Sequence, residues 1–297
     1  MAKKKPKKRR QEGFPAGKSK PVSRPQPPSL NSPPPRRWGL IILFLTITIG
    51  GTYLAIWLRP KSTAPRFTYT VIKKYPHDQT AFTQGLVMHD GCLWESTGRY
   101  GESTMRRINL STGEVLNQFP LGEDLFGEGM TVFDGKFYQI TWKEGKAFVY
   151  TFADDEFQVV KEFEYEGEGW GLTHDDTHLI FSDGSREIKF LDPETFEEVR
   201  SLWVKQRSGA AVGQLNELEF YQGKIYANRY QSDLIYEIDP QSGYVTKVID
   251  LNGLWTNRPA DGVLNGIAVN QKSGRLLVTG KLCPFVFEVK LAPILPR

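Results

Sequence analysis

Gln84-Gly85-Leu86, Glu128-Gly129-Met130, Trp170-Gly171-Leu172, Asn216-Glu217-Leu218 and Asn265-Gly266-Ile267 repeat one pattern: a polar or aromatic residue, a middle residue that is Gly in four copies, and an apolar residue that opens a strand-like run. The copies stand 42 to 49 residues apart. A fixed period of that length, holding several short strands per unit, is the sequence signature of a propeller blade. Five copies predict an all-β, five-bladed β-propeller. An immunoglobulin-like sandwich needs only about 100 residues and carries no such period. Two small β domains would not repeat one motif along their whole length.

Outward from these motifs, the first unit reads as strands at Leu86 to Met88, Leu93 to Ser96, Met105 to Leu110 and Val115 to Phe119. Polar turns separate such runs, as at Asp192-Pro193-Glu194-Thr195-Phe196 and Asp239-Pro240-Gln241-Ser242-Gly243. The fifth unit reaches only its third strand, at Val286 to Val289, before the chain ends. The extra alternating run at Phe67 to Tyr75 can supply the missing strand. Closure by an N-terminal strand, leaving no ring edge unpaired, is therefore expected.

Charge divides the chain. Of 38 Lys and Arg, 12 fall in residues 1–37, where Glu12 is the lone acid; the rest carries 26 bases against 33 acids, so the formal net charge of +4 hides an acidic folded part. An acidic module argues against nucleic acid as a partner. Residues 1–37 also hold nine of the 19 prolines and few large apolar residues, the composition of a disordered tail. Residues 38–58 contain no charge, with Trp38, Tyr53 and Trp57 near the ends. As a helix, 21 residues would reach about 31 Å, enough to cross a bilayer core of about 30 Å. The excess of Lys and Arg on the N-terminal side places the tail in the cytoplasm and the domain outside. A cleaved signal peptide fits less well, because no small-residue cleavage pattern follows Leu58. The expected organisation is a basic cytoplasmic tail (1–37), a single transmembrane anchor (38–58), a linker (59–66) and an extracytoplasmic propeller (67–297).

In a propeller the loops entering each innermost strand and leaving each second strand converge on one mouth of the axial channel. Here the entering loops carry Phe82, Gln84, Phe126, Glu128, Trp170, Asn216, Glu217 and Asn265, and the leaving loops Glu95, Trp142, Asp183, Tyr230 and Lys281. Large aromatics with a few converging polar groups describe a small-ligand pocket. The repeated glycines read as architectural, since innermost strands pack closely. The residue beside them differs from copy to copy, which points to function rather than architecture. Glu217 and Glu95 read more readily as struts bonded to backbone amides than does Glu128.

The runs Phe82-Thr83-Gln84-Gly85-Leu86, Trp94-Glu95-Ser96-Thr97-Gly98, Phe126-Gly127-Glu128-Gly129, Tyr138-Gln139-Ile140-Thr141-Trp142, Glu168-Gly169-Trp170-Gly171-Leu172, Ser182-Asp183-Gly184-Ser185, Leu215-Asn216-Glu217-Leu218-Glu219, Asn265-Gly266-Ile267-Ala268 and Thr279-Gly280-Lys281 resemble the plant-type glutaminyl cyclase family, which has bacterial members. The resemblance spans roughly Phe67 to Leu291. It implies a five-bladed propeller that converts N-terminal glutamine of peptides or proteins to pyroglutamate with loss of ammonia, without a cofactor or metal. It also implies Glu128 as the acid/base, with Phe82, Gln84, Phe126, Trp142, Trp170, Asn216 and Lys281 binding substrate. The chain departs from the family's usual Trp at Tyr230 and at Cys283, changes that shrink an aromatic wall.

These residue types suit that reaction. The substrate's α-amine attacks its own γ-carboxamide carbon, so folding the side chain back and excluding water supplies much of the catalysis. The remaining need is to carry a proton from the attacking nitrogen to the leaving one. A carboxyl among Phe126 and Trp142 has its charged form disfavoured by desolvation, which raises its pKa toward the working pH. Gln84, Asn216, indole N–H groups or Lys281 are candidate donors to the developing oxyanion.

Other chemistries lack their residues. There is no Gly-x-Ser-x-Gly elbow, phosphate loop or His-Glu-x-x-His, and His77, His89, His174 and His178 are scattered and read as surface or turn residues. A calcium-dependent hydrolase using Glu95, Glu128, Asp183 and Glu217 is one rival reading, and a non-catalytic peptide-binding propeller another. Cys92 and Cys283, too few for a disulfide framework, read as free buried thiols.

Overall fold

The computed structural model describes residues 63–295; the tail (1–37), the anchor (38–58) and the start of the linker lie outside the described residues. Within them every element is a β-strand. None of the described residues forms a helix long and apolar enough to cross a membrane.

After β1 (Arg66–Pro76), four antiparallel meanders follow in chain order. They are β2 (Thr83–His89), β3 (Cys92–Thr97), β4 (Thr104–Asn109) and β5 (Glu114–Pro120); β6 (Gly127–Phe133), β7 (Lys136–Thr141), β8 (Lys146–Ala153) and β9 (Glu156–Glu164); β10 (Gly171–His174), β11 (Leu179–Ser182), β12 (Glu187–Leu191) and β13 (Glu198–Trp203); and β14 (Leu215–Tyr221), β15 (Lys224–Arg229), β16 (Leu234–Ile238) and β17 (Val245–Asp250). A last group holds β18 (Leu264–Asn270), β19 (Arg275–Gly280) and β20 (Phe285–Pro293). β1 adds antiparallel to β20, from Phe67 opposite Pro293 to Pro76 opposite Phe285. Its first two residues also pair in parallel with β17, Arg66 with Val248 and Phe67 with Ile249. That parallel contact was not expected; it merges the fourth and fifth groups into one eight-stranded sheet. A two-residue pairing leaves no pattern in sequence.

Burial explains the layering. β6 is buried along almost its whole length, whereas β5 alternates exposed and half-buried residues. The first strand of each group is covered on both faces by its neighbours, while the outer strand is wet on one side. The first strands β2, β6, β10, β14 and β18 touch in cyclic order, β18 meeting β2 again, so the fold is propeller-like. The apolar core lies between adjacent sheets: Leu86, Leu93 and Ile108 pack with Ala268, Leu277 and Val286 across the junction of the first and last groups. Hairpins such as Asp90-Gly91 and Asp134-Gly135 have positive φ at both residues, the geometry that matches strand twist.

A Cβ on Gly85 would lie 2.5 Å from Met130 N, and one on Gly129 or Gly171 would overlap the backbone of Leu172 or Asn216. Glycine at these places lets adjacent first strands approach backbone to backbone. In the fourth copy Glu217 replaces it, and its carboxyl spans the axis, accepting from Leu86 N (3.2 Å) and Ile267 N (2.7 Å). Glu217 is thus a strut bonded to backbone amides, as its sequence position suggested.

Glu95 is a strut of another kind. Its Oε1 accepts from Thr83 Oγ1 (2.7 Å) and lies 3.1 Å from His77 Nε2, while His77 Nδ1 lies 2.7 Å from Cys283 O. Side chains rather than backbone amides hold it. His77 is buried, contrary to the surface or turn position expected: it ties the chain after β1 to both the first and the last group. Glu95 raises the His77 pKa against burial, and His77 in turn holds Glu95 below the ordinary carboxylate range. Both cysteines are free, Cys283 buried and Cys92 half-buried.

Candidate active site

Irregular pairing at the start of four first strands sets the site. The β2–β3 register skips Gln84, the β6–β7 register breaks across Glu128-Gly129, the β14–β15 register across Asn216-Glu217 and the β18–β19 register across Asn265-Gly266. A bulge frees a residue from the ladder and re-aims its side chain. The variable residue of four repeats sits in such a bulge, while in the third Trp170 stands just before β10, which pairs regularly with β11. The loops at this end are pinned by backbone bonds: Gly98 N donates to Phe82 O (2.9 Å), Trp142 N to Phe126 O (3.0 Å), Tyr230 N to Gln214 O (2.8 Å) and Lys281 N to Val263 O (2.9 Å).

Together they enclose a cavity of about 290 Å³ lined by Phe82, Gln84, Phe126, Glu128, Trp142, Trp170, Asn216, Tyr230 and Lys281. All eight residues singled out from the sequence line it, and Tyr230 completes the wall. Phe82 meets Phe126 edge-on at 6.2 Å, Phe126 meets Trp142 at 5.4 Å, and Trp170 meets Tyr230 edge-on at 5.3 Å. Lys281 Nζ lies 4.6 Å from the Phe82 ring centre and 5.3 Å from that of Tyr230. The remaining gap, between Trp142 and Trp170, is bridged by Glu168: its Oε2 accepts from both indole Nε1 atoms, each at 2.9 Å.

Of the other mouth candidates, Asn265 lies behind the wall, donating to Gln84 Oε1 (3.1 Å) and Thr83 O (3.2 Å). Asp183 caps its own turn through Ser185 N (3.0 Å). Glu217 is bound on both oxygens, and Glu95 on Oε1, as described above. The four acids of the calcium reading therefore do not gather, and among the described residues no three His, Cys, Asp or Glu side chains are placed to hold a metal ion.

Glu128 is the buried acid of the cavity, and its Oε1 accepts from Gln84 Nε2 at 2.8 Å. Burial pushes its pKa well above the usual carboxylate range; the Lys281 charge opposes this, and Glu168 and Glu144 reinforce it. Lys281 is buried too, and burial lowers its pKa while Glu128 and Asp261 hold it up. Each group's charged form is disfavoured by desolvation, so both are brought toward neutral pH, where proton transfer is easiest. Asn216 Oδ1 is buried with no hydrogen-bond partner among the described residues. A buried acceptor left unpaired beside a cavity suits a ligand N–H.

Sequence reasoning missed Glu168: in the loop entering β10 only Trp170 was weighed, although Glu168 stands two residues before it as Phe82 and Phe126 stand before Gln84 and Glu128. The available signal was an acid two residues before Trp170 in the run Glu168-Gly169-Trp170. The same contact corrects one expectation, since the two indole N–H groups are spent on Glu168 and are not aimed at an oxyanion.

The family described as glutamine cyclotransferase matches residues 44–291. A relative from Arabidopsis thaliana, glutaminyl-peptide cyclotransferase, is 37% identical over 228 residues, covering 74% of this chain and 70% of that protein. The crystal structure of Myxococcus xanthus glutaminyl cyclase aligns with a TM-score of 0.72 at 38% identity, over 78% of this chain and 99% of that one.

Proposed function

The chain belongs to the glutamine cyclotransferase family, and from that premise we propose that it converts the N-terminal glutamine of peptides or proteins to pyroglutamate, with Glu128 carrying the proton. The observation behind the assignment to Glu128 is a buried carboxyl of raised pKa, held by Gln84, on the wall of an aromatic cavity that also presents Lys281 and Asn216.

The neutral α-amine nitrogen attacks the γ-carboxamide carbon, and the carbonyl π pair moves to oxygen. Glu128 takes a proton from the attacking nitrogen and delivers it to the carboxamide nitrogen. The carbonyl re-forms, the C–N bond breaks and ammonia leaves. Ring closure is intramolecular, so holding the glutamine side chain folded between Phe82, Phe126, Trp142, Trp170 and Tyr230 lowers the entropic barrier. With both indoles held by Glu168 and the Gln84 amide donating to Glu128, Lys281 and the Asn216 amide are the donors left for the oxyanion. Asn216 Oδ1 accepts from a substrate N–H.

The five sheet groups form five blades, with β1 as the outer strand of the last. The uncharged stretch 38–58, with the Lys and Arg gathered before it, supports a single anchoring segment there, with the catalytic domain outside the cytoplasm.

The decisive experiment incubates the purified chain with a glutamine-initiated peptide and follows mass. Loss of one ammonia from the peptide is expected, and it should persist in EDTA. Binding with no mass change would leave a non-catalytic peptide receptor instead.

A further inference from the structure

The side chains around the mouth form a closed circuit: Phe82, Phe126 and Trp142 in contact, then Trp170 and Tyr230 in contact, with Lys281 joining Tyr230 back to Phe82. One link in that circuit is not an aromatic contact or a residue of the reacting set. We propose that Glu168 is a positioning residue, a clamp whose single carboxylate oxygen fixes Trp142 and Trp170 as one wall of the glutamine pocket. The proposal rests on the cyclase reading for what the wall encloses.

Trp142 follows β7 and Trp170 precedes β10, so the two belong to different sheets. Gly169 N donates to Trp142 O at 2.9 Å, which brings the Glu168 backbone alongside Trp142. A Cβ on Gly169 would overlap the Tyr165 hydroxyl and come within 2.7 Å of Thr141 O, so only glycine lets the chain pass this close. From there both indoles reach the same Oε2 at 2.9 Å. Lys143 closes the far side of the clamp: its Nζ lies 3.7 Å above the Trp142 ring and 3.9 Å from Glu168 Oε1. Trp170 is wedged from behind, because its ring lies where a Cβ on Gly184, at φ +81°, would stand. An indole N–H donates and cannot accept, so two adjacent indoles need a shared acceptor between them. A bond to an ionised acceptor is about twice as strong as a neutral one.

The test uses the full chain with Glu168→Leu and Glu168→Gln, read by kinetics on a glutamine-initiated peptide and by the indole N–H resonances of Trp142 and Trp170. Glu168→Leu removes the acceptor and should lower kcat/KM by roughly 10- to 100-fold, the scale of losing charge-assisted hydrogen bonds that place substrate. Both indole resonances should move together. Glu168→Gln keeps an acceptor oxygen and should recover activity to within about threefold, with both resonances near their original positions. The clamp is refuted if Glu168→Leu leaves both resonances and kcat/KM unchanged, or if Glu168→Gln is as impaired as Glu168→Leu. If Glu168→Leu does not fold, the wild-type spectrum decides, since two freely exchanging indole protons would exclude the shared bond. If the variants show this resonance response but wild-type protein does not cyclise peptide, the cyclase reading is overturned and the clamp stands.

Discussion

Glu128 and Glu217 are both buried carboxyl groups at the starts of first strands, and burial raises both pKa values well above the ordinary range. What separates them is what fills their hydrogen-bonding capacity. Glu217 gives one oxygen to Leu86 N and the other to Ile267 N, so it is consumed by the scaffold it crosses. Glu128 is held on Oε1 by the side chain of Gln84 and borders the cavity beside Lys281. A perturbed pKa alone therefore does not mark a catalytic acid. A perturbed carboxyl facing space that a substrate can occupy does.

Substitution should separate the two most sharply at Glu128. Glu128→Gln preserves size and a Gln84 contact but cannot carry a proton, and we expect kcat to fall by about 100- to 10,000-fold, the usual contribution of general acid–base catalysis. The melting temperature should not fall. Turnover near wild-type in the purified variant would remove Glu128 from the reaction. Lys281→Met comes next, with an expected loss of about 10- to 100-fold in kcat/KM as an oxyanion donor disappears. It carries a second signature in the pH profile. Gln84, Lys281, Glu168 and Glu144 are the polar and charged groups acting on Glu128. Lys281 alone among them pulls its pKa down by charge, so its removal should shift the acidic limb of kcat/KM to higher pH. An acidic limb that stays in place or moves to lower pH would contradict the assigned coupling.

At Glu217 the balance should reverse. Glu217→Ala strands two backbone N–H groups at the axis, each worth about 1–3 kcal/mol when left unsatisfied, so we expect a loss of roughly 2–4 kcal/mol with some relief from entering water. The folded fraction should keep kcat/KM within about threefold of wild type. Chemical denaturation paired with kinetics measures both. A large loss of kcat in folded Glu217→Ala would blur the division between strut and shuttle.

How much of this could be read without coordinates follows from which forces are local. The repeat exposes the strands because each unit rebuilds the same burial pattern, and the mouth residues follow because they fall at fixed places in the repeat, four of them re-aimed by a bulge at the start of a first strand. Glu128, Trp170 and Lys281 belong to different sheets but were found through that regularity. The parallel contact of Arg66 and Phe67 with β17, and the burial of His77 against Glu95 and Cys283, break the regularity because they belong to the seam where the ring closes. No other unit offers a counterpart from which to infer them. Glu168 escaped for a related reason: its function depends on two indoles from neighbouring sheets converging on one oxygen, and spacing along the chain does not report where an indole nitrogen points.

A third channel carboxyl gives the smallest effect and the cleanest sign. Glu219, two residues beyond Glu217 on β14, has its pKa pushed up to about 8 by burial. Unfolding returns it to an ordinary value near 4.5, so between these limits the folded chain binds more protons than the unfolded one, and this group's contribution to stability falls as pH rises. Replacing it with Gln removes the titration while keeping a polar side chain. At pH 5 wild type and Glu219→Gln should melt at similar temperatures; by pH 8 the variant should melt a few degrees higher, because over that range unfolded wild type gains stability by ionising Glu219 while the folded chain keeps it protonated. Glu219 borders a separate cavity with His174 and Tyr221, away from the aromatic mouth, so peptide cyclisation should not change. A variant that melts lower at pH 8 would mean that the charged form of Glu219 is held by partners, as Glu95 is by His77, and would move it from the Glu217 side of the comparison to the seam.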